Sequence, residues 1–270
     1  MEISTELEDN VRQTLKKINL NKKEKILVAL SGGKDSTTTA HLLKKFGYTI
    51  EGFHIDLKIG DYSERCLRAV ERLCKDLKVE LHVYDIKNET GSGMCYLRSA
   101  IQSNKKLKNC AICGVIKKWV FNKEARRLNA DKIATGHNLD DEAQTFLMNI
   151  SKGSPKLSAN TGPVTKNVSD KKFIPRIKPL YYIAEEGIKK YSKNKKLPVV
   201  YDKCPCALDS YRIQVRKFTD TLSKNEKLNI IKNFEKLSKK INRGSINICY
   251  CETCGEPARK KICKRCELMK

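Results

Sequence analysis

A chain of 270 residues with 40% hydrophobic residues is long enough for one large domain with a buried core and small appendages. No apolar stretch approaches the roughly 18 residues of a membrane span. Residues 1–10 carry acids and lack the apolar centre of a signal peptide. These features argue against membrane and secreted proteins, and we expect a cytoplasmic location without membrane contact.

The formal net charge is +24, and it is unevenly distributed. Residues 151–270 hold 29 Lys and Arg against 11 Asp and Glu, whereas residues 1–150 hold 26 against 20. An excess of this kind is typical of a protein that binds a polyanion, of which nucleic acid is the simplest. The alternative interpretation of the same counts is a surface of solvated lysines.

The first half of the chain alternates between apolar runs and amphipathic segments. The spacing of Leu7, Val11 and Leu15 predicts an amphipathic helix over 3–20. Strands are predicted over 25–31, 48–55, 79–86 and 132–135, and helices over 35–46, 63–77, 111–128 and 139–150. This alternation predicts an α/β fold, a doubly wound parallel sheet of the Rossmann-like type.

Ligands of such sheets bind beyond the carboxyl ends of the strands. The residues at those ends are Ser31, Ile55, Asp56, Gly136 and His137. We therefore expect the active site at this edge of the sheet.

The second half of the chain is organised differently. Residues 151–172 are rich in Gly, Ser, Asn and Lys and predict a long polar loop. Residues 208–241 are predicted to be helical and basic on one side, and the last 22 residues carry five cysteines. The predicted organisation is an N-terminal helix (1–24), a nucleotide-binding domain (25–207), a basic helical segment (208–247) and a four-cysteine module (248–270).

The segment SGGKDS follows the first predicted strand and begins a helix. The two glycines, Gly32 and Gly33, allow a tight turn and a close approach to a ligand, and the free amides of the helix start attract anions. Ser31 and Ser36 supply hydroxyls, Lys34 a positive charge and Asp35 a carboxylate ligand for Mg²⁺. Neither the Walker A pattern nor G-x-G-x-x-G is present. The segment therefore predicts a phosphate-binding loop of another type.

The cysteines near the C-terminus have the spacing of a structural metal site. Cys251-x2-Cys254 and Cys263-x2-Cys266 offer four thiolates, as in tetrahedral Zn²⁺ sites. Because the module is too short to bury a core, one structural Zn²⁺ is expected to hold it together. Cys249 is an extra cysteine and is predicted not to be a ligand. The Arg and Lys residues around the module suit RNA binding.

A second cysteine group lies inside the nucleotide-binding domain. Cys110-x2-Cys113 begins a helix, and Cys204 would be the third ligand. Three cysteines at one site suggest an iron–sulfur cluster whose fourth iron is open to exogenous sulfide. The alternatives are a second structural zinc site that uses Cys206 as its fourth ligand, and a catalytic disulfide or persulfide pair. Cys66, Cys74 and Cys95 are predicted to be small core hydrophobes.

Three further residues near these motifs are predicted to matter. Asp141 is a carboxylate beside the predicted nucleotide, where it can bind Mg²⁺ or act as a base. Lys117 lies four residues after Cys113 and so shares its helix face. Trp119 is predicted to be a core residue, with stacking on a base as the alternative.

The phosphate loop resembles that of the PP-loop ATP pyrophosphatases, which cleave ATP to AMP and pyrophosphate while they adenylate a substrate. By that analogy Ala29 and Ile55 line the adenine pocket. Together, SGGKDS, GFHIDLKIGDYS, CAICGVIKK, ATGHNLDDEAQT, PRIKPL and the Cys-Pro at 204 are similar to motifs of the tRNA 2-thiouridine synthetase family, the TtuA and TtcA group. The resemblance covers residues 25–220, and the four-cysteine tail extends it for the TtuA branch.

The resemblance implies cofactors, partners and roles. A [4Fe-4S] cluster is implied on Cys110, Cys113 and Cys204, with Lys117 and Asp141 as catalytic residues and Gly136 on the ATP side. The implied partners are tRNA, a second copy of the chain, and a sulfur source that is a thiocarboxylated ubiquitin-like carrier or free sulfide. ATP/Mg²⁺ would activate the C2 oxygen of a uridine as an adenylate before sulfur replaces it.

One departure from the family pattern limits this comparison. The TtuA branch carries another four-cysteine finger before the PP-loop, whereas this sequence has no cysteine before Cys66, so that finger is expected to be absent. The target nucleoside therefore stays open. The pair Cys204 and Cys206 also leaves open which of the two is the ligand. The alternative functions are a persulfide-type thiolase, a lysidine-type ligase or amidating synthetase with the same loop, and a non-catalytic RNA-binding scaffold.

Overall fold

A five-stranded parallel sheet organises the part of the chain that the computed structural model describes, residues 2–154, 157, 162–165, 170–207, 211–240 and 248–270. Its strands are β1 (Lys25–Leu30), β2 (Thr49–Asp56), β3 (Leu81–Asp85), β4 (Lys132–Ala134) and β5 (Arg176–Ile177). The order is β3-β2-β1-β4-β5, and each neighbouring pair is parallel. The order reverses between β1 and β4, which confirms the predicted doubly wound sheet.

Helices cover both faces of this sheet. They are α1 (Glu2–Lys17), α2 (Lys34–Lys45), α3 (Gly60–Leu77), α4 (Ile86–Thr90), α5 (Met94–Asn104), α6 (Asn109–Arg127), α7 (Leu139–Ser151), α8 (Glu185–Asn194), α9 (Arg212–Thr219), α10 (Lys224–Lys240) and, in the tail, α11 (Lys264–Met269). In the described ranges, no helix is long and apolar enough to cross a bilayer.

Two apolar layers lie on opposite faces of β1. Ile26 and Val28 pack with the buried stripe of α1, α2 and α3, whereas Leu27 packs with α5 and α6 on the other face. All three side chains are fully buried. A central parallel strand covered on both faces is apolar on both sides, which is why residues 26–30 of β1 have no polar alternation after Lys25.

The described part of residues 208–241 is helical as predicted, but it is divided into more than one helix. Two helices occur in the described part of this region, α9 and α10, and the chain turns between them at 220–223. The reason is a capping box: the amide and hydroxyl of Ser223 each lie 2.7 Å from Glu226 Oε2, and the Glu226 amide donates back to Ser223 Oγ at 3.3 Å. The Ser-x-x-Glu pattern marks a new helix start.

Several other elements differ from expectation. The helices α4 and α5 fill a stretch for which no element was predicted, and β5 is only two residues long. Much of the predicted loop 151–172 lies outside the described residues. Of its described part, Val164 forms an isolated antiparallel bridge with Ile177, so the loop touches the sheet edge.

The tail forms a small separate sheet of β6 (Cys249–Tyr250) and β7 (Pro257–Ala258), which pair antiparallel. It packs against the outer face of α6, with which α11 makes contact. The tail therefore lies on the helix that carries Cys110, Cys113 and Lys117.

Candidate active site

The SGGKDS segment forms a compact loop between β1 and α2. The Ser31 amide donates to Ser36 Oγ at 3.1 Å, and Ser36 Oγ donates to the Gly33 carbonyl at 3.1 Å. Gly33 is the residue that precedes the first turn of α2, and no side chain caps that turn. The loop hydroxyls are thus bonded within the loop, while the helix start keeps amides for an anion.

Glycine is required at two positions around this loop. Gly32 has φ +80°, and a Cβ there would lie 2.9 Å from Cys66 Cα. At Gly136, just beyond β4, a Cβ would lie 2.7 Å from both Asp35 C and the Ser36 nitrogen. The end of β4 therefore abuts the phosphate loop, and Gly136 lies against the backbone of Asp35 and Ser36.

A network of charges surrounds the loop lysine. Lys34 Nζ lies 2.9 Å from Asp35 Oδ2 and 2.7 Å from Glu185 Oε1, and Glu185 also pairs with Arg216. Burial lowers the pKa of Lys34, but the two carboxylates outweigh burial, and its pKa lies above the ordinary value. Glu185 therefore occupies a place beside Lys34 where a phosphate would compete for the same ammonium group.

Asp35 faces the carboxyl edge of the sheet. Asn138 Nδ2 donates to Asp35 Oδ1 at 3.1 Å, and burial raises the Asp35 pKa despite the neighbouring Lys34. A desolvated carboxylate at a phosphate loop is a suitable ligand for a divalent cation, because the ion would restore the lost charge stabilisation.

Asp141 belongs to the start of α7. The Asp141 amide donates to Asn138 Oδ1 at 3.0 Å, and the Asn138 amide donates to Asp141 Oδ2 at 3.4 Å, which forms a capping box. Arg212 Nη1 lies 3.4 Å from Asp141 Oδ1. Desolvation nevertheless raises the pKa of Asp141 to about 6, against the effect of Arg212 and with a contribution from Asp35. Asp141 and Asp35 thus act on each other across one cleft.

Cations converge on the same cleft. His137 accepts or donates through Nδ1 to Thr135 Oγ1 at 2.9 Å. The residue is exposed at the mouth of the cleft, and its pKa lies below the ordinary value, first because the surrounding protein desolvates the imidazole and then because of nearby cations. Those cations are Lys178, Arg212, Lys118 and Arg176. A ring with this positive neighbourhood is neutral at pH 7, and the cations form a surface for phosphate groups.

Cys113 and Cys204 are neighbours beside α6, and Cys110 lies one helical turn before Cys113. Cys113 and Cys204 pack against the same apolar cluster, and the charges of Cys113 and Lys117 both act on Cys204. Cys110 is exposed at the first turn of α6, and Cys113 and Cys204 are half-buried. Among the described residues, these three are not one of the groups whose ligand atoms all lie within 4.8 Å.

The sulfur of Cys206 contacts other residues than the sulfur of Cys204 does. Cys206 Sγ accepts from Arg98 Nη2 at 2.8 Å and lies 3.9 Å from Cys95 Sγ. This arrangement favours Cys204 over Cys206 as the third member of the group. The core prediction for Cys95 is wrong, because Cys95 is exposed near the start of α5, where its side chain faces away from the core; Cys66 and Cys74 are buried as predicted.

The four tail cysteines converge as the spacing predicts. The sulfur atoms of Cys251, Cys254, Cys263 and Cys266 all lie within 4.8 Å of one another. Cys254 Sγ and Cys263 Sγ are 3.7 Å apart, and the Cys263 amide donates to Cys251 Sγ at 3.2 Å. Thiolates at about 2.3 Å from one tetrahedral ion are separated by about 3.7 Å. The geometry is therefore compatible with a metal site.

The tail module is joined to α6 by charged and aromatic contacts. Arg126 forms a two-pronged ion pair with Glu256, with Nη1 2.9 Å from Oε2. Arg265 lies over the Trp119 ring at 4.5 Å from its centroid, and Lys123 lies 4.8 Å from the same centroid. Trp119 is half-buried between α6 and the tail, so the core prediction for this residue holds only in part.

Several charged residues at the site carry no recognisable signal in the sequence, and most of them lie in the second half of the chain. Glu185 contacts the loop lysine, and Arg216 pairs with Glu185. Arg212 contacts Asp141, and Arg98, from the first half of the chain, contacts two sulfurs. None of them belongs to a motif with a fixed offset from SGGKDS. Only the basic character of the predicted helical segment was a signal, and it did not distinguish one arginine from another.

A phosphate loop on a doubly wound parallel sheet, with acids and cations at the same edge, defines an ATP-binding protein of the PP-loop class. The family model for the PP-loop domain matches residues 3–219. The chain is 34% identical over 267 residues to a tRNA-5-methyluridine(54) 2-sulfurtransferase of Pyrococcus horikoshii, covering 96% of this chain and 83% of the relative.

Two further comparisons agree. The chain is 32% identical over 277 residues to cytoplasmic tRNA 2-thiolation protein 1 of Caenorhabditis elegans, covering 98% of this chain and 73% of that one. The structure of the U34-tRNA thiolase NcsA from Methanococcus maripaludis with its [4Fe-4S] cluster superposes with a TM-score of 0.82 at 28% identity, over 98% of this chain and 87% of that one. The chain therefore belongs to the PP-loop family of tRNA 2-thiolation sulfurtransferases.

Proposed function

We propose that this protein is an ATP-dependent sulfurtransferase that replaces the C2 oxygen of a tRNA uridine with sulfur. The observation that carries the proposal is that Cys113 and Lys117, both on α6, lie close enough to Cys204 for their charges to act on it, while Cys113 and Cys204 pack against one apolar cluster. The relatives and the solved neighbour named above act on tRNA in thiolation.

ATP activates the oxygen that must leave. The C2 carbonyl oxygen is a poor leaving group, and its transfer to AMP makes it a good one. The amides at the start of α2 and the ammonium group of Lys34 face the phosphates and stabilise the departing pyrophosphate. Asp35, with its desolvated carboxylate, is the residue that we assign to Mg²⁺, while Ala29, Ile55 and Gly136 border the nucleotide.

The three-cysteine group suits an iron–sulfur cluster. When bound by Cys110, Cys113 and Cys204, a [4Fe-4S] cluster supplies an iron without a protein ligand, at which sulfide can be held. The fit rests on Cys113 and Cys204 beside one apolar cluster, with Cys110 one helical turn before Cys113 and Cys206 engaged by Arg98. This pairing of Cys206 also disfavours the alternative of a second four-cysteine zinc site.

Lys117 and Asp141 act on the base from two sides. Lys117 lies with the cysteines, where its charge orients the incoming sulfur and the adenylated oxygen. Asp141 has a pKa of about 6 and is therefore a carboxylate at pH 7 to 8, able to accept a proton from the uridine ring. Arg212 holds Asp141 in place by bonding its carboxylate and carbonyl and the Thr145 hydroxyl, at 3.4, 3.2 and 2.9 Å.

The remaining parts are assigned to tRNA and to the fold. The cations around His137 face the phosphate backbone of tRNA, and the target base must leave its stack to reach the cleft. A structural Zn²⁺ at the four tail cysteines stabilises the module that packs on α6. We further propose a cytoplasmic homodimer that receives sulfur as free sulfide or from a thiocarboxylated carrier.

The other candidate functions leave observed features without a role. A lysidine-type ligase or an amidating synthetase needs the phosphate loop but no cysteine group. A persulfide-type thiolase would use Cys110 and Cys113 as a pair and would not need Cys204. A non-catalytic scaffold would have no use for the Lys34, Asp35 and Asp141 arrangement.

The test is anaerobic purification followed by thiolation of tRNA with ATP and sulfide. We expect about four irons per chain at the internal cysteines and thiouridine in the digested tRNA, whose position, 34 or 54, is mapped by mass spectrometry. Cys110→Ser, Cys113→Ser and Cys204→Ser should each lose iron and thiolation but retain ATP binding. Cys249→Ser is the matched control and should behave as the unmodified protein. Thiolation retained by Cys204→Ser would contradict the cluster assignment.

A further inference from the structure

A second pair of sulfur atoms lies beside the three-cysteine group and has no role in the function proposed so far. Cys95 Sγ lies 3.9 Å from Cys206 Sγ, and Arg98 Nη2 donates to both sulfurs, at 3.1 and 2.8 Å. The two cysteines are 111 positions apart in the chain, so the fold alone brings them together.

The environment of Arg98 bears on the chemistry of these two sulfurs. Its side chain is only 6% exposed, and its Nε has no hydrogen-bond partner among the described residues. Within the described ranges no carboxylate forms an ion pair with it. A buried guanidinium without a counter-charge is unfavourable. Desolvation and the neighbouring Cys206 sulfur hold the pKa of the Cys95 thiol above its ordinary value and outweigh Arg98, which lowers it. Arg98 thus binds two thiols at once and is placed to stabilise an anionic sulfur, thiolate or persulfide, when one forms there.

The two cysteines differ in access. Cys95 is exposed at the second position of α5, an 11-residue helix whose N-terminal amides also favour an anion there. Cys206 is half-buried behind it. An external sulfur donor therefore reaches Cys95 first, and Cys206 is in position to resolve the product.

The pair is joined to the proposed sulfur site. Cys206 follows Cys204 by two residues, and Asn109 Nδ2 donates to the Cys206 carbonyl at 3.2 Å, next to Cys110. Sulfide released at the pair is thus released next to the group that is proposed to use it.

We propose that Cys95, Cys206 and Arg98 form a sulfane-sulfur acceptor site that converts the outer sulfur of a small-molecule persulfide into hydrosulfide. The Cys95 thiolate attacks the outer sulfur of R–S–SH; a bond forms between Cys95 Sγ and that sulfur, the donor S–S bond breaks, and R–S⁻ leaves. The Cys206 thiolate then attacks Cys95 Sγ, a Cys95–Cys206 disulfide forms, and HS⁻ leaves.

The electrons and protons of this sequence balance. The two cysteines supply the two electrons that reduce the outer sulfur to sulfide, and solvent takes the proton of each attacking thiol. An external dithiol restores the pair by exchange and becomes a disulfide itself. Arg98 stays protonated throughout and stabilises the thiolate and persulfide forms.

The inference rests on the proposed thiolation function for the use of the sulfide, and its test separates the two. The full chain, carrying its iron, is supplied with ATP, tRNA and one equivalent of glutathione persulfide, without added reductant. A parallel reaction contains sulfide instead. The readouts are thiouridine in tRNA, sulfur added to Cys95 and a Cys95–Cys206 disulfide in peptides mapped without reduction.

Cys95→Ser and Cys206→Ser should each lower the yield of thiouridine from glutathione persulfide at least about tenfold. With sulfide as the donor, the thiouridine yield of both variants should stay within about twofold of that of the unmodified protein. Cys206→Ser should also trap the added sulfur on Cys95, because its resolving thiol is gone. Cys249→Ser is the matched half-buried thiol control and should match the unmodified protein with either donor.

The inference is overturned if both variants equal Cys249→Ser with persulfide, or if neither the added sulfur on Cys95 nor the disulfide forms. Failure of the unmodified protein with sulfide would instead contradict the proposed thiolation function. In that case the two peptide readouts, which need no tRNA, still decide on the acceptor site.

Discussion

Replacing Asp141 by Asn should stabilise the protein while it removes activity. The folded protein raises the pKa of this carboxyl from 3.8 to about 6, chiefly by desolvation. At about 1.4 kcal/mol for each pH unit, the full shift corresponds to roughly 3 kcal/mol of destabilisation above pH 6. The side chain is 35% exposed, so solvent screening reduces the expected effect to about 1 kcal/mol.

The sign of the pH dependence follows from the direction of the shift. The folded state holds the Asp141 proton more tightly than the unfolded chain does, so protonation favours folding. Stability from this group is fully present below about pH 4 and is lost as the pH rises through about 6. Asn cannot ionise, so the advantage of Asp141→Asn should be largest at pH 8 and fall to roughly half at pH 5.

The measurement is urea unfolding of both proteins at pH 8 and pH 5, with iron and zinc contents matched. Asp76→Asn is the control, because it removes the same charge from an exposed position of α3, 58% exposed, where Arg72 lies 3.9 Å away. It should change stability by less than about 0.5 kcal/mol. A variant at position 141 that is no more stable than this control at pH 8 would refute the reasoning.

Four further outcomes are expected. Gly136→Ala should raise the Kd for ATP at least about tenfold and lower the free energy of unfolding by about 1–3 kcal/mol, because its Cβ would lie 2.7 Å from the loop backbone. The control is Gly187→Ala, whose Cβ meets only a side-chain carbon at 3.8 Å and which should leave ATP titrations unchanged. Arg212→Lys, which keeps the charge but not the fork that bonds Asp141 and its neighbours, should lower kcat more than it raises KM for ATP, and equal effects on both would contradict a positioning role. Glu256→Gln should weaken docking of the tail on α6 and increase its hydrogen exchange, with Glu252→Gln on the exposed side as control. Zinc chelation should have the same effect on the tail without removing ATP binding, and unchanged exchange in the chelated protein would argue against a structural metal.

The local parts of the site were predictable from the sequence because their geometry is set by neighbours in the chain. SGGKDS after an apolar run implies a strand, a tight turn and a helix start, and the structure has all three at β1, Gly32 and α2. The two C-x-x-C pairs of the tail converge for the same reason, since each knuckle brings its own two thiols close. Lys117 lies one helical turn after Cys113 on α6, as the four-residue spacing requires.

Long-range placement was not predictable in the same way. The break between α9 and α10 depends on one capping box in a basic segment, and Cys95 was predicted to be buried because nothing local distinguishes it from Cys66. The partners of Lys34 and Asp141 come from residues far along the chain, Glu185 and Arg212.

The sequence by itself determined the sheet class, the phosphate loop and the four-cysteine tail, because each depends on periodicity or on short fixed spacings. Only the tertiary structure decided which distant groups share the cleft. Whether Cys206 lies with Cys204 or with Cys95 and Arg98 depends on how the segment after α8 packs against α5 and α6, and no spacing in the chain encodes that contact. Desolvation of the Asp141 carboxylate and its raised pKa likewise arise only because α7 and the helix of Arg212 lie side by side at the cleft.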